Sequence, residues 1–202
     1  MLYWVLKHLF AGPLVRGTFR PWVRGVENIP AKGPVILASN HLSVIDSFFM
    51  PLSIDRRVFF LAKKEYFTGT GIKGWLTAQF FKSTGMRPID RGGGAASEAS
   101  LQTGLRVLSQ GKVLGIYPEG TRSPDARMFR GRTGIARMIM QADKPVTVVP
   151  VVMVDTERVL PIGAKVPRLR KVGMVFGEPL TFTRYEGMAA DRAQAYAWID
   201  LA

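Results

Sequence analysis

Five stretches of the chain run apolar without alternating: residues 34–38, 58–61, 113–117, 146–154 and 172–176. A strand with one wet face alternates, whereas a strand covered on both faces does not. These runs therefore predict buried strands. Helical spacing fills the gaps between them. Leu101, Leu105 and Leu108 fall at i, i+4 and i+7, with Gly111 as a C-terminal stop. Ile135, Met138, Ile139 and Ala142 form a second stripe that ends before Pro145, and Ile72, Trp75, Leu76, Phe80 and Phe81 predict a third helix. The alternation predicts an α/β fold: a single domain with a central, mostly parallel twisted sheet covered by helices. Strand order is not legible in the pattern. The final residues, AYAWIDLA, read as a helix without a cap.

The first fifteen residues, MLYWVLKHLFAGPLV, are apolar but broken by Lys7, His8 and Pro13. A membrane-spanning helix needs roughly 20 apolar residues, so this segment falls short. A secretory leader would place its positive charge first and end in an A-x-A-like exit, and neither is present. Leu2, Val5, Leu6, Leu9 and Phe10 recur at helical spacing. Two accounts fit them: an amphipathic helix lying in a bilayer interface, or a helix packed on the protein's own core. The expected division is an N-terminal helical segment over 1–20 and one main domain over 21–202.

Composition narrows the chemistry. With 202 residues and 47% hydrophobic content the chain can bury a sizeable core. It has no cysteine, which excludes disulfides, thiolate catalysis and cysteine-based zinc sites. Two histidines without a carboxylate cluster suggest no metal site. The balance of 28 basic against 15 acidic residues, net +13, favours anionic partners. Charge alone also fits a non-catalytic protein that binds a membrane or nucleic acid. The basic residues are scattered, however, and no nucleic-acid module signature appears, so no nucleic-acid partner is expected.

Two polar clusters leave strands in the same way. PVILA runs into SNHLSVID, and KVLGIY runs into PEGTRS at 118–123. In open α/β sheets ligands gather at the carboxyl edge of the strands. If these two strands are parallel neighbours, the clusters meet. His41 and Asp46 stand five residues apart, about 140° around a regular helix, so they cannot share a helical face. They meet only if His41 precedes the helix and folds back over its first turn. Asp46 would then accept from one ring nitrogen and leave the other free as a base. The competing reading is purely local: Ser43 and Asp46 form a capping box, S-x-x-D, before SFFM. PEGTRS offers a glycine turn, a hydroxyl and Arg122, all suited to phosphate oxygens. Glu119 is unexpected in an anion site; it suits orienting an arginine or binding a hydroxyl. RPIDR at 87–91 adds Arg87 and Arg91, or else is a strand-end turn with a surface ion pair. The GGG that follows lacks the pattern of a nucleotide loop.

These residues carry a resemblance. NHLSVID resembles the N-H-x-x-x-x-D box of the glycerolipid acyltransferases, the 1-acylglycerol-3-phosphate acyltransferases and their relatives. RPIDR, YPEGTRS and VVPVVM (148–153) resemble that family's later blocks in order, and AKKEYF (62–67) resembles a basic segment between the first two. The resemblance implies transfer of an acyl group from a thioester to the hydroxyl of a lysophospholipid, lysophosphatidic acid first, with glycerol 3-phosphate or another lysolipid as the alternative acceptor. By position it makes His41 the general base and Asp46 its orienting carboxylate. It assigns Glu119, Gly120, Thr121 and Arg122 to the glycerol phosphate, with Arg91 and Lys63 assisting. Acyl transfer would be direct, consistent with the lack of both cysteine and a G-x-S-x-G elbow. No cofactor is implied, only acyl-CoA or an acyl carrier protein as donor. A lipid acceptor also favours the interfacial reading of the N-terminal helix, with Arg16, Arg20 and Arg24 as a basic collar facing an anionic membrane. The expected address is the cytoplasmic face of the cell membrane, peripheral or monotopic. The segment GWLTAQFF reads either as core or as an apolar wall or second membrane contact. Asn40 and a backbone N–H near the helix start are the candidate oxyanion donors.

Overall fold

The computed structural model describes residues 2–89 and 94–182. The apolar runs become the middle of one sheet. Its strands are β1 (Trp22–Arg24), β2 (Val35–Ser39), β3 (Val58–Lys63), β4 (Met86–Ile89), β5 (Val113–Ile116), β6 (Thr147–Val154) and β7 (Gly173–Phe176). They lie in the order β1-β7-β6-β2-β5-β3-β4. Every pairing is parallel except β6 with β7. The expected fold class holds, and β2 and β5 are parallel neighbours in register, Val35 opposite Val113.

Both faces of the sheet are covered, which is why the central strands do not alternate. Helices α5 (Gly94–Ser109) and α6 (Gly134–Gln141) pack Leu101, Leu108 and Met138 onto Ile36, Phe59 and Leu114. On the other face α3 (Asp46–Ser53) packs Phe49 and Met50 against Val35, Leu37 and Phe60. Each such side chain contributes about 1.5–3 kcal/mol when removed from water. At the amino edge Arg56 gathers the carbonyls of Pro30, Gly33 and Gly111 at 2.7–2.8 Å, fixing the loops that feed β2 and β5. Two strands were not expected. β1 and β4 are short outer strands with exposed positions, and β4 carries Pro88, which only an edge position tolerates well. RPIDR is therefore in part a strand; its Asp90 and Arg91 lie outside the described residues, as does AYAWIDLA.

The N-terminal segment runs as α1 (Leu2–Val5), a wider π-helical turn (Leu6–Ala11) and α2 (Gly12–Phe19). The π turn sits where Pro13 would otherwise collide with an α-helical carbonyl. Val15 and Phe19 pack on the core, Phe19 edge-on to Phe49 at 5.4 Å. Lys7 is buried rather than exposed: its ammonium donates to the Ile54 carbonyl and lies over the Trp4 ring. Burial lowers its pKa, and Asp55 partly restores it. The outward side instead carries Trp4, Val5, Leu9, Phe10 and Leu14, with Leu9 and Leu14 both 68% exposed. Helix α4 (Gly71–Ser83) behaves alike. Ile72 is 80% exposed and Trp75, Leu76 and Phe80 also face outward, so GWLTAQFF turns only Ala78 and Phe81 toward the core. No helix among the described residues is long and apolar enough to cross a membrane.

Candidate active site

The parallel strands β2, β3, β4, β5 and β6 all end at one edge of the sheet, and the polar clusters emerge there. β2 ends at Ser39, so Asn40 and His41 stand in the turn before α3. His41 Nδ1 lies 2.9 Å from Asp46 Oδ2. The same oxygen accepts the backbone N–H groups of Leu42 at 2.8 Å and Ser43 at 2.9 Å. The carboxylate oxygen that accepts both N–H groups can only accept from the ring as well, so in the neutral imidazole Nδ1 is the nitrogen that carries the proton and Nε2 the one with the lone pair. Asp46 is 0% exposed and His41 17%, so the carboxylate is enclosed while the ring reaches the surface. Asp46 Oδ1 is buried with no partner among the described residues.

The contacts that the capping reading requires and those that pair Asp46 with the His41 imidazole are both present. Asp46 reaches back to the Ser43 N–H, as one half of a capping box does. The other half is missing, because the Ser43 hydroxyl donates to the Leu160 carbonyl at 2.8 Å. The turn is thus held from outside, which frees Asp46 to serve the imidazole.

Tyr117, at the exit of β5, lies flat on His41, with ring centroids 3.8 Å apart and 12° between planes. Phe60 stacks behind Tyr117 at 5.8 Å. Gly115 makes room for that ring: a Cβ there would come within 2.3 Å of Phe60 Cε1. The Tyr117 hydroxyl bonds Ser47 Oγ at 2.8 Å, next to Asp46. Burial, reinforced by the Asp46 charge, pushes this phenol well above its ordinary pKa, so it stays a neutral face for the ring. Imidazole rotation is therefore limited by Asp46 at one edge and Tyr117 across one face. Sequence reasoning missed Tyr117 by reading it as the last residue of an apolar strand.

The two clusters are joined directly, since the Ser123 N–H donates to the His41 carbonyl at 2.7 Å. Arg122 is the half-buried residue just before that bond, and Thr121 and Gly120 are exposed beside it. Gly120 has φ +72°, the left-handed turn its type favours. Arg132 leans over it: a Cβ at Gly120 would sit 3.0 Å from Arg132 Nε. The Arg132 N–H also bonds the Pro118 carbonyl at 2.8 Å. Arg132 is a second cation at the turn, not expected because it lies beyond the motif, ten residues after Arg122. Glu119 turns inward and accepts the Phe129 N–H at 3.3 Å, tying the following loop to the turn. Lys63 ends β3 at the same edge and is exposed. Arg87 lies over the Phe59 ring, and Arg91 lies outside the described residues. Asn40 is not aimed at a substrate. Its amide donates to the Met153 carbonyl at 3.1 Å and accepts the Met153 N–H at 2.7 Å, clamping the β2 exit to β6.

A family model described as Acyltransferase matches residues 20–154. The 1-acyl-sn-glycerol-3-phosphate acyltransferase of Bacillus subtilis is 32% identical over 114 residues, 55% of this chain and 54% of that protein. A chloroplastic 1-acyl-sn-glycerol-3-phosphate acyltransferase of Arabidopsis thaliana is 28% identical over 144 residues, 71% of this chain and 38% of its own. The human 1-acyl-sn-glycerol-3-phosphate acyltransferase alpha is 30% identical over 134 residues, 65% and 44% of the two chains. The chain thus spans about half or less of the length of these curated relatives. Among solved structures, the 1-acyl-sn-glycerophosphate (LPA) acyltransferase PlsC of Thermotoga maritima aligns with a TM-score of 0.68 at 20% identity. That alignment covers 99% of this chain and 79% of the other, a likeness of fold.

Proposed function

The chain belongs to the acyltransferase family, and from that premise we propose that it moves an acyl group from an acyl thioester to the free hydroxyl of lysophosphatidic acid, forming phosphatidic acid. The observation that carries this reading is the Asp46-held His41, joined by a backbone hydrogen bond to the turn that bears Arg122. In this reading Nε2 of His41 takes the hydroxyl proton as the acceptor oxygen attacks the thioester carbonyl. The new C–O ester bond forms and the C–S bond breaks. The imidazolium then returns its proton to the departing thiolate, giving the free thiol. Asp46 stabilises the transient imidazolium and does not itself move. The acyl group passes directly between substrates, in a chain without cysteine.

The acceptor phosphate suits Arg122, with Gly120 and Thr121 at the turn, and Lys63 from the next strand exit. Arg132 adds a second guanidinium. Paired guanidinium forks match a phosphate better than a diffuse field does. Arg91 belongs to the same proposal by sequence position alone, and Glu119 would act by holding the loop. The acceptor's chain calls for contact with a bilayer. The N-terminal helix supports peripheral attachment because its charged Lys7 faces inward while five large apolar side chains face outward. Such an inversion is unfavourable in water and favourable at a lipid interface.

Product analysis tests the reading. Acyl-CoA and an acyl carrier protein are each supplied with lysophosphatidic acid, glycerol 3-phosphate and a neutral lysolipid. Phosphatidic acid from lysophosphatidic acid is the expected product; no acylation of any phosphorylated acceptor would overturn it. Arg122→Ala should raise KM for the phosphorylated acceptor about tenfold or more, since a charge-assisted bond contributes about 1.5–3 kcal/mol. The variant should leave kcat within a few-fold, and an unaltered KM would remove Arg122 from the phosphate site.

A further inference from the structure

Between α7 (Thr156–Val159) and β7 the chain makes a loop, LPIGAKVPRLRK at 160–171, with four basic residues and no acidic one. Its base is fixed. The Ala164 N–H bonds the Pro161 carbonyl at 3.0 Å, the Arg168 N–H bonds the Val159 carbonyl at 2.7 Å, and the Ser43 hydroxyl bonds Leu160. Its outer part is open throughout, with Lys165, Arg168, Arg170 and Lys171 all exposed. Interleaved with them, Val166 is 76% and Leu169 74% exposed, and Ile162 also faces outward. A loop folded for internal stability would turn those three apolar side chains in. A merely solvated loop would have little use for them. A phosphate site would converge its cations on an enclosed point, whereas all four of these are exposed.

Its position matters as much as its composition. The loop leaves the carboxyl end of β6, the edge where His41 emerges. Its return abuts the exit of the N-terminal helix, because the Trp22 N–H bonds the Val172 carbonyl at 3.1 Å. We propose that residues 161–171 dock into the headgroup layer of an anionic bilayer. They would form a membrane contact separate from the N-terminal helix, tied through Leu160 and Ser43 to the turn that carries His41. Val166 and Leu169 enter the interface and the four cations meet anionic headgroups. The loop thereby sets the distance between the bilayer and the imidazole. This deepens the reading above and rests on its lipid acceptor, without depending on which lysolipid is used.

The chain has no native cysteine, so one introduced thiol can be labelled cleanly. Leu169→Cys carries an environment-sensitive fluorophore, and Gln110→Cys, before β5 at the opposite edge of the sheet, serves as the control. With phosphatidylcholine–phosphatidylglycerol vesicles the label at 169 should shift to the blue and the label at 110 should not. Neutralising the four cations (K165Q, R168Q, R170Q, K171Q) should weaken binding to these vesicles by about tenfold or more. Turnover of a short-chain, water-soluble lysophosphatidic acid should stay unchanged. No shift at 169, or unweakened vesicle binding by the quadruple variant, would overturn the proposal. A raised KM for acyl-CoA with vesicle binding intact would also overturn it, giving the loop to the donor. If the label at 169 responds but no acceptor is acylated, the membrane contact stands and the transferase reading fails.

Discussion

His41→Ala should lower thiol release from acyl-CoA in the presence of lysophosphatidic acid by about 10²–10⁴-fold, the range that a positioned general base supplies. The loss should fall on kcat. The bond from Ser123 uses the His41 backbone carbonyl, which alanine retains, so the Arg122 turn keeps its place. KM for the acceptor should therefore change by no more than a few-fold. Asp46 keeps two of its three donors in this variant, Leu42 and Ser43, so the start of α3 is preserved. Steady-state assay with a thiol reagent checks the outcome, and turnover within a few-fold of the unaltered chain would remove His41 from catalysis.

Asp46→Asn is the second large effect, and it isolates charge from geometry. The two backbone N–H groups that point at Oδ2 require an acceptor there, so the asparagine must present its amide oxygen to the turn. That oxygen can still accept from His41 Nδ1, and the ring keeps its orientation. What is lost is the negative charge facing the imidazolium. Two unit charges about 4 Å apart interact by about 4 kcal/mol at an effective dielectric constant near 20. The amide dipole recovers part of this, which leaves an expected fall in kcat of about 10²–10³-fold. The amide nitrogen would also occupy the buried Oδ1 position, which has no partner among the described residues. A modest loss of thermal stability should accompany the kinetic effect. A full-rate Asp46→Asn variant would mean that no imidazolium forms in the rate-limiting step.

What the sequence shows and what it hides divide along physical lines. β2 and β5 are legible because both faces are covered and the apolar run is unbroken. β1 and β4 are not, because exposed outer strands carry no such run. The His41–Asp46 pair is legible because it closes within one turn. The work of Asn40 is hidden because its partner, Met153, is 113 residues away. Tyr117 was visible as a letter in the motif, but a strand pattern says nothing of a ring stacked on the next segment. The outward faces of α4 and the N-terminal helix show a deeper limit. Periodicity reveals that apolar residues share a side, and not which medium that side meets. Lys7 is the sharpest case, a cation placed inside while leucines stand outside.

The central claim is that Asp46 holds the proton on Nδ1 and leaves Nε2 of His41 as the base. Nitrogen NMR of isotope-labelled imidazole tests it most directly, because only His8 and His41 contribute and a His8→Gln variant assigns the signals. At a pH where the ring is neutral, the account predicts a protonated Nδ1 and a bare Nε2 for His41. A proton found on Nε2, with Nδ1 unprotonated, would contradict it.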